Sequence, residues 1–283
     1  MIPDAYAAAS PPAASPPAAS PRISVIIPSY NSGAFLREAL TSALDQDPPP
    51  YEILVQDGGS TDDTLGILRA FGERVAWASA PDRGQSDALN KGLARATGDV
   101  VLWLNADDLL LPGAMAAASA AFASDTGLAF AYGDFDIIDG AGSLIRSYKS
   151  SPYSWDKVFA GGCYIFSGSI FVRRQTLVAI GGYDPSLHAC MDFDLLLRLG
   201  SAGPSCHLGR TIAQLRRHGA AKSSTIGTVF LREGFRVRHR YAGRSLPRWY
   251  HTFAFIPLFV IMQTTAPWRY SPRWPRYGRG KTL

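Results

Sequence analysis

The sequence predicts an α/β protein built on a mixed, mainly parallel central sheet. Three observations carry this. Short apolar, β-branched runs alternate with helical patterns through the first 110 residues, in units of about 25–30 residues. Each run ends on small, polar or charged residues, where open α/β sheets bind their ligands. The chain of 283 residues is 47% hydrophobic and 18% charged, which excludes a disordered, collagenous or disulfide-stapled protein.

In chain order, residues 1–21 repeat Ala-Ala-Ser-Pro, too rich in proline for a helix and too poor in bulk for a core. They read as a flexible leader without the pattern of a signal peptide. Residues 23–28 (Ile-Ser-Val-Ile-Ile-Pro) form a buried strand. Ser32 is placed to cap a helix whose apolar face is Phe35, Leu36, Ala39, Leu40, Ala43 and Leu44. A second strand, 51–56, runs into Asp57-Gly58-Gly59-Ser60, with Ser60 capping a helix that carries Leu65, Ile67, Leu68 and Phe71. Residues 75–78 give a third strand, 85–96 a third helix and 100–104 a fourth strand. After a helix over 112–122 the pattern turns antiparallel, with strands at 128–132, 135–138 and 144–148 and a hairpin turn at 139–142. Further strands are expected at 170–172 and 211–215. Asp192 opens a helix with Arg198 outward and Asp194 as a first-turn acid.

The strand ends carry the chemistry. They read Pro28-Ser29-Tyr30-Asn31, Asp57-Gly58-Gly59-Ser60, Pro81-Asp82-Arg83-Gly84 and Asn105-Ala106-Asp107-Asp108. Adjacent carboxylates after a buried strand repel unless a cation or strong donors hold them, and hard oxygens suit Mg²⁺ or Mn²⁺. The plainer alternative is a turn before the next helix. For Asp57 the alternatives are an acceptor for a base or ribose and an Asx turn. Arg83 can meet a diphosphate with its forked donors or stay a solvated loop charge. The three cysteines, Cys163, Cys190 and Cys206, form no C-x-x-C pair, so they read as reduced packing residues of a cytoplasmic protein.

The ordered set of these motifs, with Asn90-Lys-Gly-Leu-Ala-Arg-Ala-Thr-Gly98, Gly181-Gly-Tyr-Asp184 and Met191-Asp-Phe-Asp-Leu-Leu-Leu-Arg198, resembles the family 2 glycosyltransferases. The likeness covers residues 22 to about 225 and is strongest to bacterial enzymes that build surface polysaccharides. It implies a GT-A nucleotide-binding sandwich. It also implies inverting transfer of a sugar from a nucleotide-sugar donor, a UDP- or GDP-sugar, to a glycan or lipid-linked acceptor. Carried over, Pro28, Tyr30, Asn31, Asp57 and Arg83 belong to the nucleotide pocket. Asn105 and Asp107 fall in the D-x-D motif, where Asn105 brings an oxygen but no charge. Asp107, Asp108 and His218 are the metal candidates for Mg²⁺ or Mn²⁺. Asp192 takes the position of the general base, although without the family it reads as a helix N-cap. The resemblance divides 22–228 into a nucleotide-binding half, 22–110, and an acceptor half, 111–228. A nucleotide-dependent oxidoreductase is disfavoured because no G-x-G-x-x-G follows the first strand. A sugar-nucleotide-binding protein with degraded catalysis is the alternative.

Charge divides the chain. Residues 1–209 hold 13 Lys/Arg against 22 Asp/Glu, whereas residues 210–283 hold 15 Lys/Arg and a single acid, Glu233. The tail, 229–283, reads as a basic, aromatic helical segment. Arg232, Arg236, Arg240 and Arg244 lie on one helix face, followed by an uncharged apolar stretch at 252–268 broken by Pro257 and Pro267. Arginine beside aromatics suits an anionic membrane surface, which implies peripheral attachment on the cytoplasmic face. The competing expectation is a helix packed on the enzyme itself. The acidic body disfavours nucleic acid as a partner.

Overall fold

The run that begins at residue 23 is buried at all seven positions of the strand β1 (Ile23–Ser29), and the sheet is organised around it. The computed structural model of the chain describes residues 20–219 and 227–243. β1 is followed by α1 (Leu36–Leu44), β2 (Glu52–Asp57), α2 (Thr64–Phe71), β3 (Ala76–Ser79), α3 (Gln85–Arg95) and β4 (Val100–Trp103). Then come β5 (Leu109–Leu110), α4 (Ala114–Ser124), β6 (Phe130–Ile138), β7 (Leu144–Tyr148), α5 (Trp155–Gly161) and β8 (Ile170–Arg173). α6 (Arg174–Ala179), α7 (Met191–Ala202), β9 (Ser205–Arg216) and α8 (Gly227–Ala242) complete the described chain.

Among the described residues the strands form one sheet in the order β3-β2-β1-β4-β8-β6-β9-β5, with β7 added beside β6. β1 to β4 are mutually parallel; β8 is antiparallel to both β4 and β6, while β9 runs parallel to β6. The sheet is therefore mixed, with its parallel half at the N-terminal end of the chain. Side chains alternate across it, as strand geometry requires. Val25, Ile27, Val100 and Leu102 face one core with α1, α2 and α4, whereas Ile26, Val101 and Trp103 face the other with α3, α5, α6, α7 and α8. Two apolar layers thus clamp the sheet and hold its C-terminal edge open for loops.

Several local expectations are corrected. Neither Ser32 nor Ser60 caps a helix: α1 and α2 begin later, with Phe35 and Asp63 at their N-caps. The two strands expected at 128–132 and 135–138 are one strand, β6, which shifts register against β9 between Tyr132 and Phe135. Its glycine is required there, because a Cβ on Gly133 would lie 2.5 Å from Ile212 Cγ1 and 2.8 Å from the Arg210 carbonyl. The strand at 211–215 extends back to Ser205. α5, α6 and the two-residue β5 have too little periodicity to be read from sequence. Arg198 is not outward: it donates to the Asp194 carboxylate and to the carbonyls of Ile180 and Gly182. Asp194, fully buried, accepts from Arg198, Arg240 and Tyr241.

Candidate active site

The first two strand-end loops are stitched to each other. Asn31, in the left-handed region at φ 48°, donates its backbone N–H to Ser60 Oγ at 2.7 Å and accepts from Thr61 N at 2.9 Å. Asparagine enters that region more readily than most non-glycine residues, and these bonds hold it there. Asp57 is fully buried, and Oδ2 accepts from Gly59 N, Ser60 N and Ser79 Oγ at 3.0, 2.9 and 2.6 Å. Its Oδ1 takes the Ser60 hydroxyl. The Asx turn is thus present, and it fixes the shape of the ledge beside Pro28. Tyr30 stands on that ledge 64% exposed.

Arg83 lies across the neighbouring loop, with its guanidinium exposed and paired to Asp87 at 2.8 Å. That hydrogen bond pulls the Asp87 carboxyl down to about 2. Gly84, at φ 110°, leaves room for His188, whose Nδ1 would be 3.1 Å from a Cβ there. Ser86 donates its hydroxyl to the Leu187 carbonyl at 2.9 Å. The segment leading to α7, and to Asp192 in its first turn, is therefore docked on the strand-end loop after β3. Asp192 accepts from Phe193 N at 2.8 Å. The N-cap of α7 is Cys190, not Asp192.

The motif after β4 separates into a buried part and a partly exposed part. Asn105 turns its oxygen to two donors, Trp103 Nε1 and Gln85 Nε2, each at 2.7 Å, and gives its amide to Asp108 Oδ2 at 2.7 Å. An indole only donates, so this orientation is fixed. Asp108 is buried, and its other oxygen accepts Arg216 N at 2.9 Å. Burial, with the Asp107 charge adding to it, pushes the Asp108 carboxyl well above the usual range. Asp107 instead reaches the surface, where its Oδ2 meets His218 Nε2 at 3.0 Å. The His218 ring packs against Phe35, with centroids 4.6 Å apart. Beneath them the buried Arg216 donates to the carbonyls of Asp107 and Gly140 at 3.1 Å each, and to Glu38 Oε2 at 2.6 Å.

The structure thus pairs Asp107 with His218 and holds the buried Asp108 between Asn105 and the Arg216 N–H. Among the described residues no group of three or more His, Cys, Asp or Glu side chains is arranged to hold a metal ion. An Asp–His pair at a sheet edge nevertheless fits a divalent cation of the kind that takes one or two protein ligands and completes its shell with phosphate oxygens and water. Gln85, Trp103, Glu38 and Phe35 were not picked out from sequence as site residues. A tryptophan in a buried strand was the available signal, since its N–H demands a nearby acceptor.

The profile of Glycosyl transferase family 2 matches residues 24–181. The chain is 31% identical to chondroitin synthase of Escherichia coli over 202 residues, a match that takes 70% of this chain and 29% of that protein. The chain thus spans less than a third of that relative. S. aureus TarS 1–349, solved with UDP-GlcNAc, superposes with a TM-score of 0.64 at 19% identity, covering 87% of this chain and 74% of that fragment. The mannosyltransferase PcManGT from Pyrobaculum calidifontis, solved with GDP-Man and Mn²⁺, gives 0.58 at 19% identity, over 91% of this chain and 79% of its own. These likenesses agree with the GT-A sandwich expected from the motifs. With a family profile spanning all four parallel strands and their loops, the chain belongs to glycosyl transferase family 2.

Proposed function

We propose that this protein transfers a sugar, with inversion, from a UDP- or GDP-sugar to a glycan or lipid-linked acceptor during polysaccharide assembly. The observation that carries the reading is the Asp107–His218 pair at the strand ends, on the same rim as Tyr30 and the loop that leads to Asp192. The family profile, the chondroitin synthase relative and the nucleotide sugars bound by TarS and PcManGT support it.

In this reading the Tyr30 ledge, shaped by Asn31 and Asp57 and continued by Pro28, receives the nucleoside, and Arg83 exchanges its Asp87 partner for donor oxygens. Asp192 accepts the proton of the acceptor hydroxyl as that oxygen bonds to the anomeric carbon. The bond from that carbon to the diphosphate breaks, and the nucleoside diphosphate leaves with the electron pair. Asp107 and His218 would hold Mg²⁺ or Mn²⁺, whose chemistry is to neutralise the departing diphosphate. Asn105 and Asp108 act behind them by fixing the loop.

Thermal shift against a panel of UDP- and GDP-sugars, with and without Mn²⁺, tests the donor site; no response to any donor rejects it. Asp192→Asn should lower turnover by about 10²- to 10⁴-fold while leaving that thermal shift in place. Asn105, with its oxygen already committed, motivates a second reading as a nucleotide-sugar-binding protein without transfer. A donor-induced shift with no turnover by the unaltered protein would select it.

Attachment to an anionic membrane on the cytoplasmic side remains part of the proposal. Among the described residues no helix is long and apolar enough to cross a membrane. Arg244 and the stretch at 252–268 lie outside the described residues. Flotation of the full chain with phosphatidylserine vesicles, lost at high salt, is the expected outcome.

A further inference from the structure

The chain that leads into α7 has no regular structure from Asp184 to Cys190, yet it must aim Asp192. One face of α8 holds it. Glu233 is 4% exposed and accepts the N–H of His188 through both oxygens, at 2.8 and 3.0 Å. Its Oε2 also accepts Ala189 N at 2.8 Å and Cys190 N at 3.0 Å. Three residues further along, Arg236 donates to the Ser186 carbonyl at 2.7 Å, and four beyond that Arg240 pairs with Asp184 at 3.0 Å. Residues 233, 236 and 240 share a helix face, so α8 reads residues 190 back to 184 as it advances.

Hydrophobic docking alone does not call for this arrangement. Val237 and Ala242 already bury α8 against the core of α7. A carboxylate taken from water is costly unless strong donors meet it, and here three consecutive amides form an anion-binding nest around it. Glu233 is also the single acid among the last 74 residues. Its three partners end at the N-cap of α7, two residues before Asp192.

We propose that Glu233 is a positioning residue for the transfer: by gathering the amides of His188, Ala189 and Cys190 it fixes the start of α7 and so the direction of the Asp192 carboxylate. This rests on the reading of Asp192 as the base. Glu233→Gln keeps the size but offers one oxygen and turns an NH₂ toward the donors.

Turnover is read as nucleoside diphosphate released from UDP-GlcNAc and GDP-Man as probe donors. The expected result is a kcat lowered about 10- to 100-fold with an unchanged donor KM, the scale of a misplaced catalytic group. In an Asp192→Asn background the same substitution should cost nothing further, since it acts through that residue. A kcat left intact, a raised donor KM, or an equal loss in the Asp192→Asn background overturns the proposal. If Asp192→Asn alone has no effect, the assignment of the base fails instead.

Hydrogen exchange gives a readout independent of turnover. Glu233→Gln should speed exchange in a peptide spanning 184–194 while a peptide spanning 85–95 stays protected, and unchanged exchange at 184–194 rejects the clamp. Should Glu233→Gln not fold, Arg236→Ala, at an exposed position of the same strip, must show a smaller kcat loss that is likewise silent beside Asp192→Asn. An Arg236→Ala protein with full kcat and normal exchange would then overturn the proposal.

Discussion

Asn105 shows how one side chain separates two adjacent carboxylates into different surroundings. Its amide holds Asp108 inward while its oxygen is taken by Trp103 and Gln85, and Asp107 is left at the surface with His218. Asn105→Asp would bring the motif closer to D-x-D, yet it places a third carboxylate against the buried Asp108 and removes that residue's donor. A loss of about 1–3 kcal/mol is expected in urea unfolding at neutral pH. The Arg83–Asp87 pair makes a prediction about pH. The Asp87 carboxyl is depressed to about 2, below its unfolded value, so its contribution is present above the unfolded value near pH 4 and disappears as pH falls through about 2. The difference in urea midpoint between the unaltered protein and Asp87→Asn should therefore be measurable at about pH 6 and largely lost by about pH 2. With Arg83 so exposed, the difference is small.

At the scale of elements, strands that alternate and helices with one apolar face were legible, because burial on both sides of a sheet writes period two and period 3.6 into the chain. β1, β2, α1 and α3 are where that reading puts them, to within a few residues. Caps were not legible: Ser32 and Ser60 have suitable side chains, but the loops use Ser60 to bind Asn31 and Asp57, delaying α2 to Thr64. The roles of buried polar residues were also hidden, because they depend on partners distant in sequence. Asp194, read as a first-turn acid, is fully buried and bonded to Arg198, Arg240 and Tyr241. Asp194→Ala would leave two guanidinium groups short of an acceptor, and a loss of about 3–5 kcal/mol in denaturant stability is expected. Gly133→Ala should cost about 1–3 kcal/mol by the same measurement, since its methyl would press on Ile212 and the Arg210 carbonyl where β6 shifts register.

At the scale of the whole molecule, the acidic body and the basic end are joined more closely than their charges suggest. Arg236 and Arg240 bind the body, and α8 adds Val237 and Ala242 to its core. A chain ending at residue 243 should keep its donor-induced thermal shift. One ending at residue 226 should lose more than about 5 °C in Tm, because the apolar face of α7 is stripped. The strand-end loops were readable in advance because a parallel sheet places them on one edge, whereas the docking of α8 needs the full set of long-range contacts. That docking also orders events during synthesis. Domains assemble from the N-terminus as the chain is made, and among the described residues the sheet has all its strands once β9 has emerged. The residues around Asp192 wait for Glu233, which follows Cys190 by 43 positions. A nascent chain can thus complete the described sheet before the approach to Asp192 is held in place.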